Sequence, residues 1–380
     1  MRAYQIAAPG LIELVEAPDP RPGHDEVLLR SEAVSICSTD VSYFRGHLTP
    51  ERWPIVPGHE YVGRVEQVGR DVTGIVPGDR LVYWGQTDFG GLAELRTIRP
   101  LLPSQAGETM WYTERNFYDA HQAAVAVVPE SMSSRLATLI EPLTSVLRCV
   151  LVNPPKPGDV CVVLGCGPSA LLAVQVLDRL LGAGPIMVVD KLSTRVYLAR
   201  TLGASIGFDM NTHAGQLAEF VRDHHDHFAD YVLDALPHVD ADSDDEDVRS
   251  FAMGLLRPGG TYVIYGATAL PQKISTWHLL AKGLRLQATP FDVRAFPMAR
   301  TAYLARTSLN LINDGVIVAD PLITSTVAFD DVARVTEAFD SYGHNGGMKT
   351  SIQFDQSSGR AADQLLALGR PTGRGVRMPG

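Results

Sequence analysis

Asp159-Val-Cys-Val-Val-Leu-Gly165-Cys-Gly167-Pro-Ser-Ala170 is the stretch that decides the fold of this 380-residue chain. Val160 to Leu164 form a short apolar run, typical of a strand buried on both faces of a parallel sheet. The glycine turn leads into a helical run from Leu171 to Leu181. A second apolar run, Ile186-Met-Val-Val-Asp190, follows, and Tyr231-Val-Leu-Asp and Gly260-Thr-Tyr-Val-Ile-Tyr-Gly266 repeat the strand pattern. Alternating strands and helices predict an α/β domain with a doubly wound parallel sheet.

The turn itself carries chemistry. Gly165 permits a tight turn, and Gly167 lets the backbone approach a pyrophosphate. Pro168 and Ser169 open the helix, and Ala170, in place of a third glycine, still allows close helix–strand packing. A helix N-terminus offers N–H groups and a positive dipole end to phosphates. Asp190, 25 residues after Gly165, suits the adenosine ribose hydroxyls and would repel a 2′-phosphate. NAD is therefore expected over NADP. Arg195 stands close enough in sequence to reach a phosphate, which keeps NADP as the alternative. A glycine-rich turn in some other α/β protein is the bland reading; the flanking strand, helix and acid together argue for a dinucleotide.

Towards the N-terminus the pattern changes to β. Met-Arg-Ala-Tyr-Gln-Ile opens in strand-like sequence with no signal peptide. Glu26 to Val34 and the alternating Tyr61 to Gly69 read as strands. Pro77-Gly78-Asp79 marks a turn before Arg80-Leu-Val-Tyr, and Gly90-Gly91 opens a strand from Leu92 to Arg96. Residues 101–122, with Trp111, Tyr112, Phe117 and Tyr118, carry no period and read as a long loop or short helices near a cleft. After about residue 291 come a helical run, Met298 to Asp314, and a strand-like Lys349-Thr-Ser-Ile-Gln-Phe. Residues 357–380 read as a flexible tail. The expected division is 1–150, 151–290, a return to the first unit over 291–356, and the tail.

Apolar residues make up 45% and charged residues 20%, the balance of a globular protein with a sizeable core. A net charge of −10 argues against nucleic acid or an anionic membrane as partner. No stretch reaches the length of a membrane span. The four cysteines, Cys37, Cys149, Cys161 and Cys166, are too few for a disulfide scaffold, so a cytoplasmic protein is expected. The last three read as structural. His224-His225-Asp226-His227 reads as a solvated helix end, and Asp240 to Asp247 as an exposed acidic loop.

Two polar runs stand out in the β-rich part. Ser-Ile-Cys37-Ser-Thr-Asp and Pro-Gly-His59-Glu60-Tyr-Val-Gly offer a thiolate, an imidazole and a carboxylate, a plausible zinc set. Each alone is more often a buried small hydrophobe or a satisfied core histidine. Glu141, in Thr138-Leu-Ile-Glu-Pro-Leu, sits between apolar residues, a poor place for an unpaired carboxylate. Metal coordination would explain it. Tyr43, Phe44, Trp53 and Trp111 are candidates for a pocket wall, with core packing equally expected.

Cys37-Ser-Thr39-Asp40, Gly58-His59-Glu60, Pro77-Gly-Asp-Arg80, Ile140-Glu141-Pro-Leu143 and Gly165-Cys-Gly-Pro together resemble the medium-chain, zinc-dependent alcohol dehydrogenase superfamily over about residues 1–355. The Glu-Pro-Leu form resembles its polyol, sugar and aminocyclitol branch. The resemblance implies a GroES-like β-rich catalytic domain plus a Rossmann domain, with the active site between them. It implies Cys37, His59 and Glu141 as zinc ligands, and Glu60 as a carboxylate that ligates the metal or sits just behind it. Asp40 would orient the histidine, Thr39 would bond the substrate oxygen, and Lys349 would lie near the cofactor pyrophosphate. The cysteines of the family's structural zinc lobe are missing, so one catalytic zinc per chain is expected. Ser42 stands where a relay histidine is usual, leaving water or His47 for the proton. The stretch before Val128-Pro-Glu is longer than usual.

The expected function is oxidation of a secondary alcohol of a polyol, sugar or aminocyclitol, with hydride transfer to NAD. An aldehyde or ketone reductase is the alternative in the same class, and a catalytically silent NAD-binding homologue the alternative of another kind. The partner is a small hydroxylated molecule, and family analogy suggests a homodimer or homotetramer.

Overall fold

The computed structural model describes residues 1–85, 89–105, 122–224, 227–237, 248–266, 271–289, 295–344 and 346–355. Trp111, Tyr112, Phe117, Tyr118, His225, Asp226, the run Asp240 to Asp247 and the tail 357–380 lie outside the described residues.

The first lobe holds β1 (Arg2–Ala8), β2 (Leu11–Glu16), β3 (Val27–Ser35), α1 (Ser38–Phe44), β4 (Glu60–Val68), β5 (Arg80–Trp84), β6 (Leu95–Leu101) and β7 (Gln122–Val127), then α2 (Ser134–Ala137) and α3 (Ile140–Val152). The second holds β8 (Cys161–Leu164), α4 (Pro168–Arg179), β9 (Ile186–Asp190), α5 (Ser193–Thr201), β10 (Ile206–Asp209), α6 (Ala214–His224), β11 (Ala229–Asp234), α7 (Val248–Leu255), β12 (Leu256–Ile264), α8 (Thr276–Lys282) and β13 (Arg285–Ala288). The chain then continues through α9 (Met298–Asn313), β14 (Ile323–Ala328), α10 (Val332–Asp340) and β15 (Lys349–Gln353).

The second sheet is parallel throughout, in the order β10-β9-β8-β11-β12-β13. Order reverses between β8 and β11. In open α/β sheets such a switch point, at the carboxyl ends of the strands, is where ligands bind. Gly165 leaves β8 there with φ +84°, and Ala235 leaves β11 beside it. A side chain at Gly165 would begin 3.2 Å from Leu236 Cδ2, so both conformation and space favour glycine.

The first sheet runs β14-β15-β3-β4-β5-β7-β6, with β6 also pairing to β3. That closure makes a small barrel, filled by Tyr4, Leu29, Tyr61, Leu81, Tyr83 and Val125 among others. Strand β3 serves three partners. Its first half meets β6, its last residues meet β15, and β4 runs along its length. Ser35 is therefore flanked by Glu60 on one side and Ser351 on the other. This register brings residues near 350 back to the first lobe.

The α/β fold class with a β-rich partner is as expected. Two details differ from the sequence reading. The strand expected over Leu92 to Arg96 is Leu95–Leu101, because Ala93 instead makes a single bridge to Ala3. Gln122–Val127 is a strand, although its alanine-rich sequence has weak β propensity; pairing with both β5 and β6 decides it. Residues 103–105 form one turn of 3₁₀ helix, in keeping with the loop or short helices expected there. Among the described residues no helix is long and apolar enough to cross a membrane.

Candidate active site

A cavity of about 570 Å³ opens between the two lobes. Its walls include Cys37, Thr39, Ser42, His47, His59, Glu60 and Glu141 from one side and Gly165, Gly167, Asp190 and Arg195 from the other. Pro168, Ser169 and Ala170 line it too.

The first lobe gathers its donors by local means. Cys37 precedes α1, and Asp40 in the first turn accepts the Cys37 N–H at 2.9 Å through Oδ2. Asp40 Oδ1 accepts the Gly58 N–H at 2.8 Å and lies 3.5 Å from His59 Nδ1. One buried carboxylate thus ties the segment carrying Cys37 to the segment carrying His59. Gly58 has φ +95°, and a Cβ there would meet Val34 and the Leu92 backbone at 2.9–3.0 Å. The turn before His59 therefore requires glycine. Cys37 Sγ, a ring nitrogen of His59 and a carboxylate oxygen of Glu60 all lie within 4.8 Å of one another. Glu141, on the first turn of α3, faces the same cavity but is not in that group.

Electrostatics mark the same spot. Burial opposes ionisation of Cys37, yet His59 and Lys349 draw its thiol down to about 6. Burial opposes charge on Asp40 and His59 as well; their mutual attraction prevails, lowering the first and raising the second. Burial pushes Glu60 up to about 8, with Lys349 opposing, and Glu141 up to about 7, with His59 opposing. Glu60 Oε1 accepts from Lys349 Nζ. Among the described residues its buried Oε2 has no hydrogen-bond partner, and neither has His59 Nδ1. A sulfur, a nitrogen and an orphaned carboxylate oxygen form a donor set that fits zinc. These residues could hold a divalent cation.

Lys349 lies elsewhere than expected. Its ammonium is buried against Glu60, and its side chain is not among those lining the cavity. Ser35 of β3 pairs with Ser351 on one side and Glu60 on the other, which brings Lys349, two residues before Ser351, close to Glu60. Asp190 closes β9 with both oxygens engaged: Oδ2 accepts from Cys166 N at 2.6 Å and Oδ1 from Leu192 N at 2.9 Å. Arg195 donates to the Gly347 carbonyl. Thr39 Oγ1 lies 3.7 Å from Cys37 Sγ, and Ser42 Oγ donates to the Ser38 carbonyl at 2.8 Å.

Tyr43 lines the cavity, edge-on to Phe89, which also meets His59 edge-on at 5.1 Å. Phe44 and Trp53 pack with the barrel core instead. Cys149, Cys161 and Cys166 are buried, and burial foremost holds their thiols up. His224 stacks on Phe220 at 4.1 Å at the end of α6. Sequence reading missed Trp84, Phe89, Ser145, Tyr265, Tyr342 and His344 as cavity residues. Ser145 had a signal: it lies four residues after Glu141, one helical turn along the same face.

Known proteins resemble this chain along most of its length. Residues 23–100 match the alcohol dehydrogenase GroES-like domain, and residues 170–299 match the family described as zinc-binding dehydrogenase. Human sorbitol dehydrogenase is 25% identical over 366 residues, covering 93% of this chain and 95% of its own. An Escherichia coli CFT073 alcohol dehydrogenase (rspB) solved with NADH superposes with a TM-score of 0.72 at 21% identity, over 93% of this chain and 99% of its own. A Sinorhizobium meliloti 1021 protein described as a zinc-binding dehydrogenase, bound to NADP, superposes with a TM-score of 0.70 at 22% identity, over 93% and 98%.

Proposed function

Because the chain belongs to the zinc-type, medium-chain alcohol dehydrogenase superfamily, we propose that it oxidises a secondary alcohol of a polyol, sugar or aminocyclitol to a ketone, with NAD as hydride acceptor. One observation carries the reading. The Cys37–His59–Glu60 donors lie on the same cavity as the Gly165–Ala170 loop. Cys37, His59, Glu60 and Glu141 would hold one catalytic zinc. A zinc there supplies Lewis acidity towards a hydroxyl oxygen, and the nicotinamide ring supplies the hydride acceptor.

The chain's own residues do the rest. The N–H groups opening α4 receive the cofactor phosphates, with Gly167 allowing close approach. Asp190, tied to the phosphate loop through Cys166 N, is held ready for ribose hydroxyls, which favours NAD over NADP. Thr39 Oγ1 accepts the substrate hydroxyl proton and passes it through water or His47, which lines the same cavity. Tyr43 and Phe89 form an aromatic wall beside His59 that limits water near the reacting carbon.

The proposed domain division is 1–150 and 291–356 for the catalytic part and 151–290 for the cofactor part. A homodimer or homotetramer is supported by β13, an edge strand with all four residues exposed, beside Trp277 and Leu280 at 70% and 78% exposure. Four free cysteines accord with a cytoplasmic setting.

The test is cofactor reduction by the zinc-loaded protein across polyols, sugars and aminocyclitols, with NAD and NADP, and the reverse reaction with ketones and aldehydes. The expected result is NAD-dependent oxidation of a hydroxylated substrate. Turnover only from carbonyl to alcohol would favour the reductase reading. Zinc and cofactor both bound with no turnover in either direction would refute the enzyme.

A further inference from the structure

We propose that Ser145 is a positioning residue that fixes the Glu141 carboxylate beside the metal seat, as the last link of a one-way hydrogen-bond chain from Trp84. The inference rests on the zinc reading above.

Ser145 Oγ donates to Glu141 Oε1 at 3.1 Å, and it accepts from Trp84 Nε1 at 2.8 Å. An indole N–H can only donate. A lone pair of Ser145 is therefore committed to Trp84, and its own proton is directed at Glu141. The chain has one polarity when Glu141 is ionised, the state a metal ligand takes, because it then ends on an oxygen that can only accept. With Oε1 so engaged, Oε2 is left for the cavity that Glu141 lines.

Trp84 makes a rigid starting point. It is buried at the end of β5, and the Arg148 guanidinium lies 3.8 Å from its ring centroid. Arg148 is itself 1% exposed and donates to the Phe296 carbonyl at 3.3 Å. Glu141, Ser145 and Arg148 stand four and seven residues apart on α3, so one helix face carries the carboxylate, its orienting hydroxyl and the cation that clamps the indole. Losing a group that orients a ligand from behind typically costs about 10–100-fold in metal affinity.

The experiment measures zinc affinity of the full chain by competition with a chromogenic chelator, together with the visible spectrum of the cobalt(II)-loaded protein. Ser145→Ala is expected to weaken zinc binding about 10–100-fold and to alter the cobalt bands. Ser145→Thr keeps the hydroxyl and should retain near-normal affinity. Trp84→Phe keeps the ring and loses the donor; it should weaken binding less. Adding it to Ser145→Ala should cause no further loss, because the indole acts only through Ser145. In a Glu141→Ala background, Ser145→Ala should change nothing. Unchanged affinity and spectrum in Ser145→Ala, alongside a clear loss in Glu141→Ala, would overturn this inference and leave the zinc site standing. Additive losses at 84 and 145 would overturn it as well. A wild-type chain that binds no zinc would overturn both readings.

Discussion

Asp40→Asn is the sharpest single perturbation of this site. The side chain keeps its shape, is 1% exposed, and uses both oxygens: Oδ1 for Gly58 N–H and Oδ2 for Cys37 N–H. An amide has one acceptor oxygen, so one of these N–H groups must face an NH₂. A buried donor left unmatched costs about 1–3 kcal/mol. The surviving bond loses its charge assistance, roughly another 1 kcal/mol. The expected loss for the metal-free protein is therefore about 2–4 kcal/mol, a fall in melting temperature of about 2–5 °C for a cooperative unit of this size. His59 also loses the anion 3.5 Å from its Nδ1, and zinc affinity should drop about 10–100-fold. The pH dependence has a definite sign. Burial opposes the Asp40 charge, but His59 and the two N–H groups outweigh it, so the folded-state pKa lies below the ordinary 3.8. Its contribution is present above pH 3.8 and fades as pH falls towards the folded value, so variant and wild type should converge in acid. Thermal melts from pH 7 down to pH 3, with chelator competition at pH 7, test this. A stability loss below about 1 kcal/mol with unchanged zinc affinity would refute the role assigned to Asp40.

Cys37→Ala or His59→Ala should abolish zinc binding and turnover while NADH fluorescence titration still shows cofactor binding; normal turnover in either variant would sink the zinc mechanism. Gly165→Ala must adopt φ +84° with its Cβ 3.2 Å from Leu236, costing roughly 1–2 kcal/mol and weakening cofactor binding; an unchanged NADH dissociation constant would contradict the role given to this turn. Trp277→Glu combined with Leu280→Glu should shift the protein towards monomer by light scattering, and an unchanged mass would remove β13 and α8 as the contact.

Much of this was legible without coordinates. Strand β9 was found to the residue, and β8, α4 and α9 closely, because apolar period and glycine placement are written within a dozen neighbouring positions. Cys37 with His59–Glu60 was visible because scarce polar types cluster in apolar surroundings. The edges of β6 and the whole of β7 were not, since an alanine-rich strand is decided by its partners.

By itself, then, the sequence determined the alternating strands and helices, the phosphate turn and most of the chemical inventory of the cleft. Only the tertiary structure decided who faces whom. The pairing of β15 with β3 set Lys349 against Glu60 Oε1, 289 residues away in sequence, while among the described residues Glu60 Oε2 has no hydrogen-bond partner. The end of β5 laid Trp84 against Ser145, 61 residues distant. Local propensity has no term for such pairs; they follow from strand register and helix packing, which are properties of the whole chain.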